Sequence, residues 1–342
     1  MDRGIEQQEN YDNGYSNKLA KKYGYHEWMI SRFLCFIPDT ENLLKYIEDI
    51  NSNKSTNFGY IRVNTLKIDP VTLKEKITKK GYSLQNTAIK EVFKIDKTIN
   101  KDLPSIGSTI EYLKGYYYIQ DLSSCMAVDE LEINESCSTV LDMAASPGGK
   151  TTFIAQKMNN EGNIIACEPN AKRISSLKFN LSRCNIRNTS IFNISGEDIE
   201  KLTINFDRIL LDAPCSCEGV ITKDQSRKTS RSPKDIEICS TKQRKLINSA
   251  LKVLKSGGIM VYCTCSFAPE ENEMIINELI NNNNMRDIEI EPVKYGVDGL
   301  TEFKNYKFDK ELINTKRLYP HIHNTNGFFI AKLKKLTNNE IH

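Results

Sequence analysis

At 342 residues the chain is longer than the ~100–200 residues of one typical domain, so it has room for one large unit and a smaller one. A composition of 39% hydrophobic and 27% charged residues suits a folded, water-facing protein. No apolar run approaches the ~20 residues of a membrane helix, which excludes a membrane partner, and a net charge of +3 is too small to identify a nucleic-acid binder by itself.

The opening "MDRGIEQQENYDNGYSN" lacks the basic-then-apolar layout of a secretory signal. A flexible tail over residues 1–20 and a cytoplasmic location are expected. "EWMISRFLCFI" and "TENLLKYIEDI" have the spacing of amphipathic helices, and "YIRVNTLKI", "LKEKITKKGY" and "AIKEVFKI" suggest a small mixed α+β domain over 21–115. "YYYIQDLSSCMAVDEL" leads as a helix into a large domain over 116–335, followed by a short tail, 336–342.

From residue 139 short apolar strands alternate with helical stretches: "TVLDM", "TTFIAQKM", "NIIACE", "AKRISSLKFNLSRC", "SIFNI", "FDRILLDA", "STKQRKLINSALKVLK" and "GGIMVYCTCS". That order predicts an α/β fold, a doubly wound parallel sheet with helices on both faces, and ligands bind such sheets beyond the carboxyl ends of the strands. Asp142, Glu168, the stretch Asp212 to Cys217 and the stretch Cys263 to Ser266 all fall there. "NNNN" at 281–284 reads as a loop tip, and "GFFIAKLKK" as a last, antiparallel strand.

Charge is unevenly placed. Residues 1–138 hold 18 Lys/Arg against 20 Asp/Glu, and "TKDQSRKTSRSPK" (222–234) holds five basic residues and one acid. Either this is a solvated loop, or Lys223, Arg227, Lys228, Arg231 and Lys234 contact phosphates.

"LDMAASPGGKTT" follows a strand and opens a helix, as a turn whose amides face a ligand does. It is no phosphate-binding P-loop: Ala144 stands where the first Gly is needed, and Pro147 removes an amide donor. The dinucleotide fingerprint is also absent. A cofactor with a carboxylate and a ribose but no phosphate fits better, with Glu168 at the end of the next strand bonding the ribose hydroxyls. S-adenosylmethionine has those parts.

In a reducing cytosol the ten cysteines are not a disulfide framework, and Cys35, Cys125, Cys137, Cys184 and Cys239 read as small buried hydrophobes. Two CxC pairs, Cys215/Cys217 and Cys263/Cys265, need more explanation. Structural zinc favours C-x₂₋₄-C on short knuckles, and redox pairs open helices as CxxC, so neither is the favoured reading and no metal is expected. A nucleophile beside a methyl donor remains. Carbon 5 of cytosine or uracil attacks a methyl group only after a thiolate has added at carbon 6, and an acid such as Asp212 beside ring nitrogen 3 selects cytosine.

"LDMAASPGGKTT", "LLDAPCSCEG", "VYCTCSFAPEENE", "IRVNTLK", "YYYIQDLSS" and "RLYPHIHNTNGFFIAKL" together resemble the Sun-type RNA cytosine-5 methyltransferases over residues 60–335. The resemblance implies a class I methyltransferase sheet, S-adenosylmethionine, and 5-methylcytosine formation in structured RNA. Transfer RNA is favoured as the RNA partner and ribosomal RNA is the nearest alternative, with the protein acting as a monomer. It implies Cys265 as nucleophile and Cys215 as the group assisting release. Ala144, Ala145, Ser146, Pro147, Gly148, Gly149, Lys150, Glu168, Arg173 and Asp212 would hold the cofactor, Lys150 and Asp212 also facing the base. Cys217, where Gly is usual, and Cys263, where Ser is usual, would be bystanders. Ser195 stands where the family has an acid that contacts the adenosine, with Asp198 as a candidate replacement. The rival function is a catalytically silent RNA-binding factor on the same fold, against which intact Cys215 and Cys265 argue. A DNA methyltransferase would use the PC-motif cysteine as nucleophile and leave Cys265 without a role.

Overall fold

The computed structural model describes residues 13–52, 59–96, 103–281, 287–337 and 339–340. Three helices come first: α1 (Asn13–Tyr23), α2 (Glu27–Phe36) and α3 (Thr40–Ser52). The tail expected over 1–20 is therefore helical from Asn13, and its first twelve residues lie outside the described ones. A second group follows: β1 (Gly59–Val63), α4 (Pro70–Lys79), β2 (Ser83–Asn86), β3 (Val92–Asp96), the short α5 (Ile110–Leu113) and β4 (Tyr117–Ile119). Its strands form an antiparallel sheet in the order β2-β3-β1-β4. Because β4 completes this sheet, the boundary expected at 115/116 falls a few residues too early: local patterning cannot show that Tyr117–Ile119 pairs with β1.

The large unit comprises α6 (Leu122–Asp129), β5 (Thr139–Asp142), α7 (Gly149–Lys157), β6 (Asn163–Cys167), α8 (Ala171–Arg183), β7 (Thr189–Phe192), β8 (Phe206–Asp212), α9 (Pro233–Lys252), β9 (Leu254–Thr264) and α10 (Glu273–Ile280). Beyond these come β10 (Ile288–Glu291), β11 (Val297–Asp298), the hairpin β12 (Glu302–Phe303) and β13 (Tyr306–Lys307), β14 (Lys316–Leu318), α11 (Pro320–His323) and β15 (Phe328–Lys335). Five strands run parallel in the order β7-β6-β5-β8-β9. As expected, β15 is antiparallel beside β9; β14 and β10 pair with successive stretches of its other edge, and β11 with β14. Apart from Asn281, the "NNNN" stretch lies outside the described residues.

Both sheet faces are covered, as a doubly wound sheet requires. On one, Leu141, Leu211, Met260 and Tyr262 pack with Leu246, Ile247 and Ala250 of α9. On the other, Val140, Leu210 and Val261 pack with Cys125 and Val128 of α6 and Phe153 and Ile154 of α7. The N-terminal region is not one domain in packing terms. The small sheet has its own core of Ile61, Val63, Leu73, Ile77 and Tyr117, whereas α1–α3 bury Ile30, Phe33 and Leu43 in a cluster that includes Ile221, Phe267, Phe303 and Tyr319 of the large unit.

All ten cysteines lie among the described residues and none is in a disulfide. Cys125, Cys137 and Cys184 are buried as expected, but Cys35 is exposed, because it sits on the outer side of α2, and Cys239 is half-buried. No helix among the described residues is long and apolar enough to cross a membrane.

Candidate active site

The strand ends gather nearly every residue singled out in the sequence. After β5 the chain turns through Ala144 to Gly149 into α7, with a cis bond between Ser146 and Pro147. Gly148 caps the helix at φ 105°, a conformation that side chains disfavour, and a Cβ there would stand 3.0 Å from Leu177 Cδ1. The turn is held on both sides. The Ala145 amide donates to the Cys167 carbonyl (3.0 Å), the Arg173 guanidinium donates to the Ser146 carbonyl (2.6 Å), and the Ser146 hydroxyl donates to the Arg173 carbonyl (3.0 Å).

Glu168, at the end of β6, is 1% exposed. One carboxylate oxygen accepts from the Asn170 amide (2.8 Å) and the other lies 3.3 Å from Arg173. Arg173 therefore joins the glycine turn to the acid. Asp142, fully buried under the turn, accepts from the Thr151 hydroxyl (2.7 Å) and the Ala144 amide (3.3 Å). Burial outweighs the Thr151 bond and pushes its carboxyl up to about 6.

Lys150, in the first turn of α7, reaches Asp212 at the end of β8, with Nζ 2.6 Å from Oδ2. Burial alone would lower the lysine, but the Asp212 charge, then that of the Cys263 sulfur, outweighs it and holds the ammonium well above its usual range. Cys263 is opposite Asp212 in the ladder, with its sulfur 3.6 Å from Oδ1. It is fully buried, and burial followed by the Asp212 charge pushes its thiol up.

Two loops leave the adjacent ends of β8 and β9, and this register brings the PC and TCS segments together. Cys215 Sγ lies 3.3 Å from Cys265 Sγ and 3.9 Å from Cys217 Sγ. The loops touch through backbone. The Gly219 amide donates to the Cys265 carbonyl (2.8 Å), and a Cβ on Gly219 would meet the Gly327 carbonyl oxygen at 2.2 Å, so nothing larger fits.

A buried acid that sequence reasoning left without a role fixes both loops. Glu271 accepts from the Ser216 amide (2.8 Å), the Ser216 hydroxyl (2.5 Å) and the Ser266 hydroxyl. Gln243 of α9 donates to the same carboxylate (3.2 Å) and to the Pro214 carbonyl (2.9 Å). The serines that follow Cys215 and Cys265 thus share one carboxylate. The available signal was the acid-rich "APEENE" just after the TCS segment.

The three clustered sulfurs perturb one another. Hydrogen bonds from Cys215 and then Cys265 push the Cys217 thiol below its ordinary range against the effect of burial, and Arg227 adds a favourable charge. Cys215 is held well above the ordinary thiol range by its bonds to Cys217 and Cys265 and by burial. Cys265 is lowered by its bond to Cys215, but its bond to Cys217 and burial raise it further. By position Cys217 joins the Cys215–Cys265 cluster, whereas Cys263 stays outside it, against Asp212.

The basic loop also differs from its phosphate-contact reading. Lys228 is buried, with Nζ 3.1 Å from the Tyr23 carbonyl and 3.5 Å from Glu48. Arg231 donates to the Ser216 carbonyl (2.7 Å), and Arg227 pairs with Asp224 (2.9 Å). Lys223, paired with Asp121 at 2.7 Å, and Lys234 remain exposed. Ser195 caps a short turn by accepting from the Glu197 amide (3.3 Å), and the half-exposed Asp198 pairs with Lys201 (2.6 Å).

The family described as 16S rRNA methyltransferase RsmB/F matches residues 130–334. The 26S rRNA (cytosine-C(5))-methyltransferase nsun-1 of Caenorhabditis elegans is 40% identical over 337 residues, covering 96% of this chain and 49% of that protein. The chain spans about half the length of the curated relatives it matches first. Among solved structures, a methyltransferase homolog protein from Pyrococcus horikoshii superposes with a TM-score of 0.82 at 37% identity, covering 94% of this chain and 99% of that one. NSun6 from the same organism, solved with SFG, gives 0.74 at 25% identity, covering 94% and 98%. The sheet and its antiparallel last strand are those of a class I methyltransferase, and the chain belongs to the RsmB/F family of rRNA methyltransferases.

Proposed function

We propose that this chain methylates carbon 5 of a cytosine in ribosomal RNA through a covalent adduct with Cys265. The observation that carries the reading is the 3.3 Å approach of Cys215 and Cys265 beside the Lys150–Asp212 pair, above the turn joined to Glu168. The names of the relatives support ribosomal rather than transfer RNA, reversing the order expected from the sequence.

S-adenosylmethionine would supply an electrophilic methyl group. The residues present fit it: the turn Ala144–Gly149 offers first-turn amides of α7 to a carboxylate, and the buried Glu168 offers an acceptor to ribose hydroxyls. Arg173 buttresses the turn and Asp212 closes the far side.

The target cytosine must leave its stack to expose carbons 5 and 6. Asp212 accepts from its exocyclic amine, which selects cytosine over uracil, and the Lys150 ammonium offsets negative charge building on the ring. Cys265, as thiolate, bonds carbon 6 and opens the 5,6 double bond, making carbon 5 nucleophilic. Once carbon 5 carries the methyl group, its proton passes to water, the double bond re-forms and the Cys265 thiolate is expelled. The Cys215 thiol is placed to hydrogen-bond that leaving sulfur.

The small sheet is proposed to position the RNA. It meets the large unit at a cleft lined by Tyr60, Ile119, Gln120, Asp121, Lys223 and Asn326, where the exposed Lys223, on exchanging Asp121 for phosphate, would hold a single strand. Bisulfite sequencing of ribosomal RNA from cells with and without the gene tests the function: a cytosine protected only when the gene is present supports it, and identical protection patterns overturn it.

A further inference from the structure

The third thiol remains unexplained by methyl transfer. Cys217 sits at φ 62°, where glycine is the unstrained choice, and its sulfur turns back toward its own loop, 3.3 Å from the Cys215 carbonyl and 3.9 Å from the Cys215 sulfur. The sulfurs of Cys215, Cys217 and Cys265 all lie within 4.8 Å of one another, and all three residues are half-buried, reachable from solvent. Zinc–thiolate bonds of about 2.3 Å at tetrahedral angles place ligand sulfurs about 3.8 Å apart. The 3.3 and 3.9 Å separations bracket that spacing. The four-thiolate site that CxC spacing argues against does not form, since Cys263 faces Asp212; a three-thiolate site with one open position needs only this cluster.

We propose that Cys215, Cys217 and Cys265 form a binding site for a thiophilic d10 cation such as Zn²⁺. The three sulfurs lose their protons and bond the metal, leaving the fourth position to solvent. The backbone scaffold is already assembled, because Glu271 fixes the serines that follow Cys215 and Cys265, and Gly219 ties the two loops. On the proposed function, occupation of this site and attack by Cys265 exclude each other, so the metal is a reversible off-switch and not a cofactor.

The test uses the reduced, metal-stripped full chain without RNA or methyl donor. Zn²⁺ is titrated in competition with a chromophoric chelator, and Cd²⁺ by the ultraviolet thiolate-to-metal absorption. One equivalent with the absorption of three thiolates is expected. Cys217→Gly and Cys265→Ser should each weaken binding by at least the roughly 10–100-fold typical of perturbing a metal site. Cys217→Ser, which keeps the side chain's size, should do the same, separating ligand loss from misfolding. Cys35→Ser, removing an exposed thiol far along the chain, should change nothing. Wild-type affinity in both Cys217 variants, binding lost with Cys35, or no thiolate absorption would overturn the site. Because binding is read without methyl transfer, a metal-free protein that fails to methylate RNA counts against the proposed function alone.

Discussion

The Cys215 sulfur rests 3.3 Å from that of Cys265, fifty residues further along the chain. Parallel pairing of β8 with β9 sets Asp212 beside Cys263, so the loops that leave these two strands emerge side by side. Division of labour between the two thiols follows. Cys265→Ala should abolish methyl transfer while leaving cofactor and RNA binding near normal, since the lost step is chemical. Cys215→Ala should let the adduct form and resolve slowly, so a denaturant-resistant protein–RNA complex accumulates on a gel. A trapped complex in the Cys265 variant but not in the Cys215 variant would reverse the roles.

Glu168 is buried, with Arg173 and the Asn170 amide as its partners. Glu168→Ala removes an acceptor from the cofactor and strands those donors. Calorimetry should show S-adenosylmethionine binding weakened by ~1–3 kcal/mol, the usual cost of leaving buried polar groups unpaired. Unchanged binding would remove Glu168 from the cofactor site.

Glu271 holds both cysteine loops through Ser216 and Ser266. In Glu271→Ala two buried hydroxyls lose their acceptor at ~1–3 kcal/mol each, which urea denaturation should register as a loss of about that sum. A purely structural acid would lower stability alone. A positioning acid also lowers the rate of adduct formation per folded molecule, and Glu271→Gln, which keeps part of the bonding, should recover some of both.

Glu218 is 1% exposed, and burial pushes its carboxyl up to about 8. A folded-state value above the unfolded one near 4.5 means that its stabilising contribution is full below pH 4.5 and is lost as pH rises through about 8. Glu218→Gln, neutral throughout, should therefore show a flatter fall in stability than the wild type between pH 5 and 8.5, measured by denaturant midpoint.

Lys228 should behave as a structural residue. Lys228→Ala should lower the melting temperature, because α1 loses the Nζ bond at Tyr23, and leave the salt dependence of RNA binding unchanged. Replacing exposed Lys223 and Lys234 together should flatten that salt slope with little effect on melting. The opposite pattern would return Lys228 to the RNA interface.

The sheet was legible in the sequence because its evidence is local. Apolar runs such as "FDRILLDA" and "GGIMVYCTCS" announce buried parallel strands, and the rule that ligands sit at their carboxyl ends then places Glu168, Asp212, Cys215 and Cys265 in one region. What the tertiary structure alone decided concerns side chains whose partners are distant in sequence. Cys217 and Cys263 look equivalent as the spare members of their CxC pairs, yet a left-handed turn brings one sulfur to Cys215 while strand pairing turns the other to Asp212. Lys228 reads as a surface charge until α1 and α3 close over it, and Glu271 as one acid among several until Ser216 and Ser266 converge on it. Periodicity records which face of an element is buried; it carries no information about which distant loop that face meets, and that meeting sets the chemistry of the sulfurs.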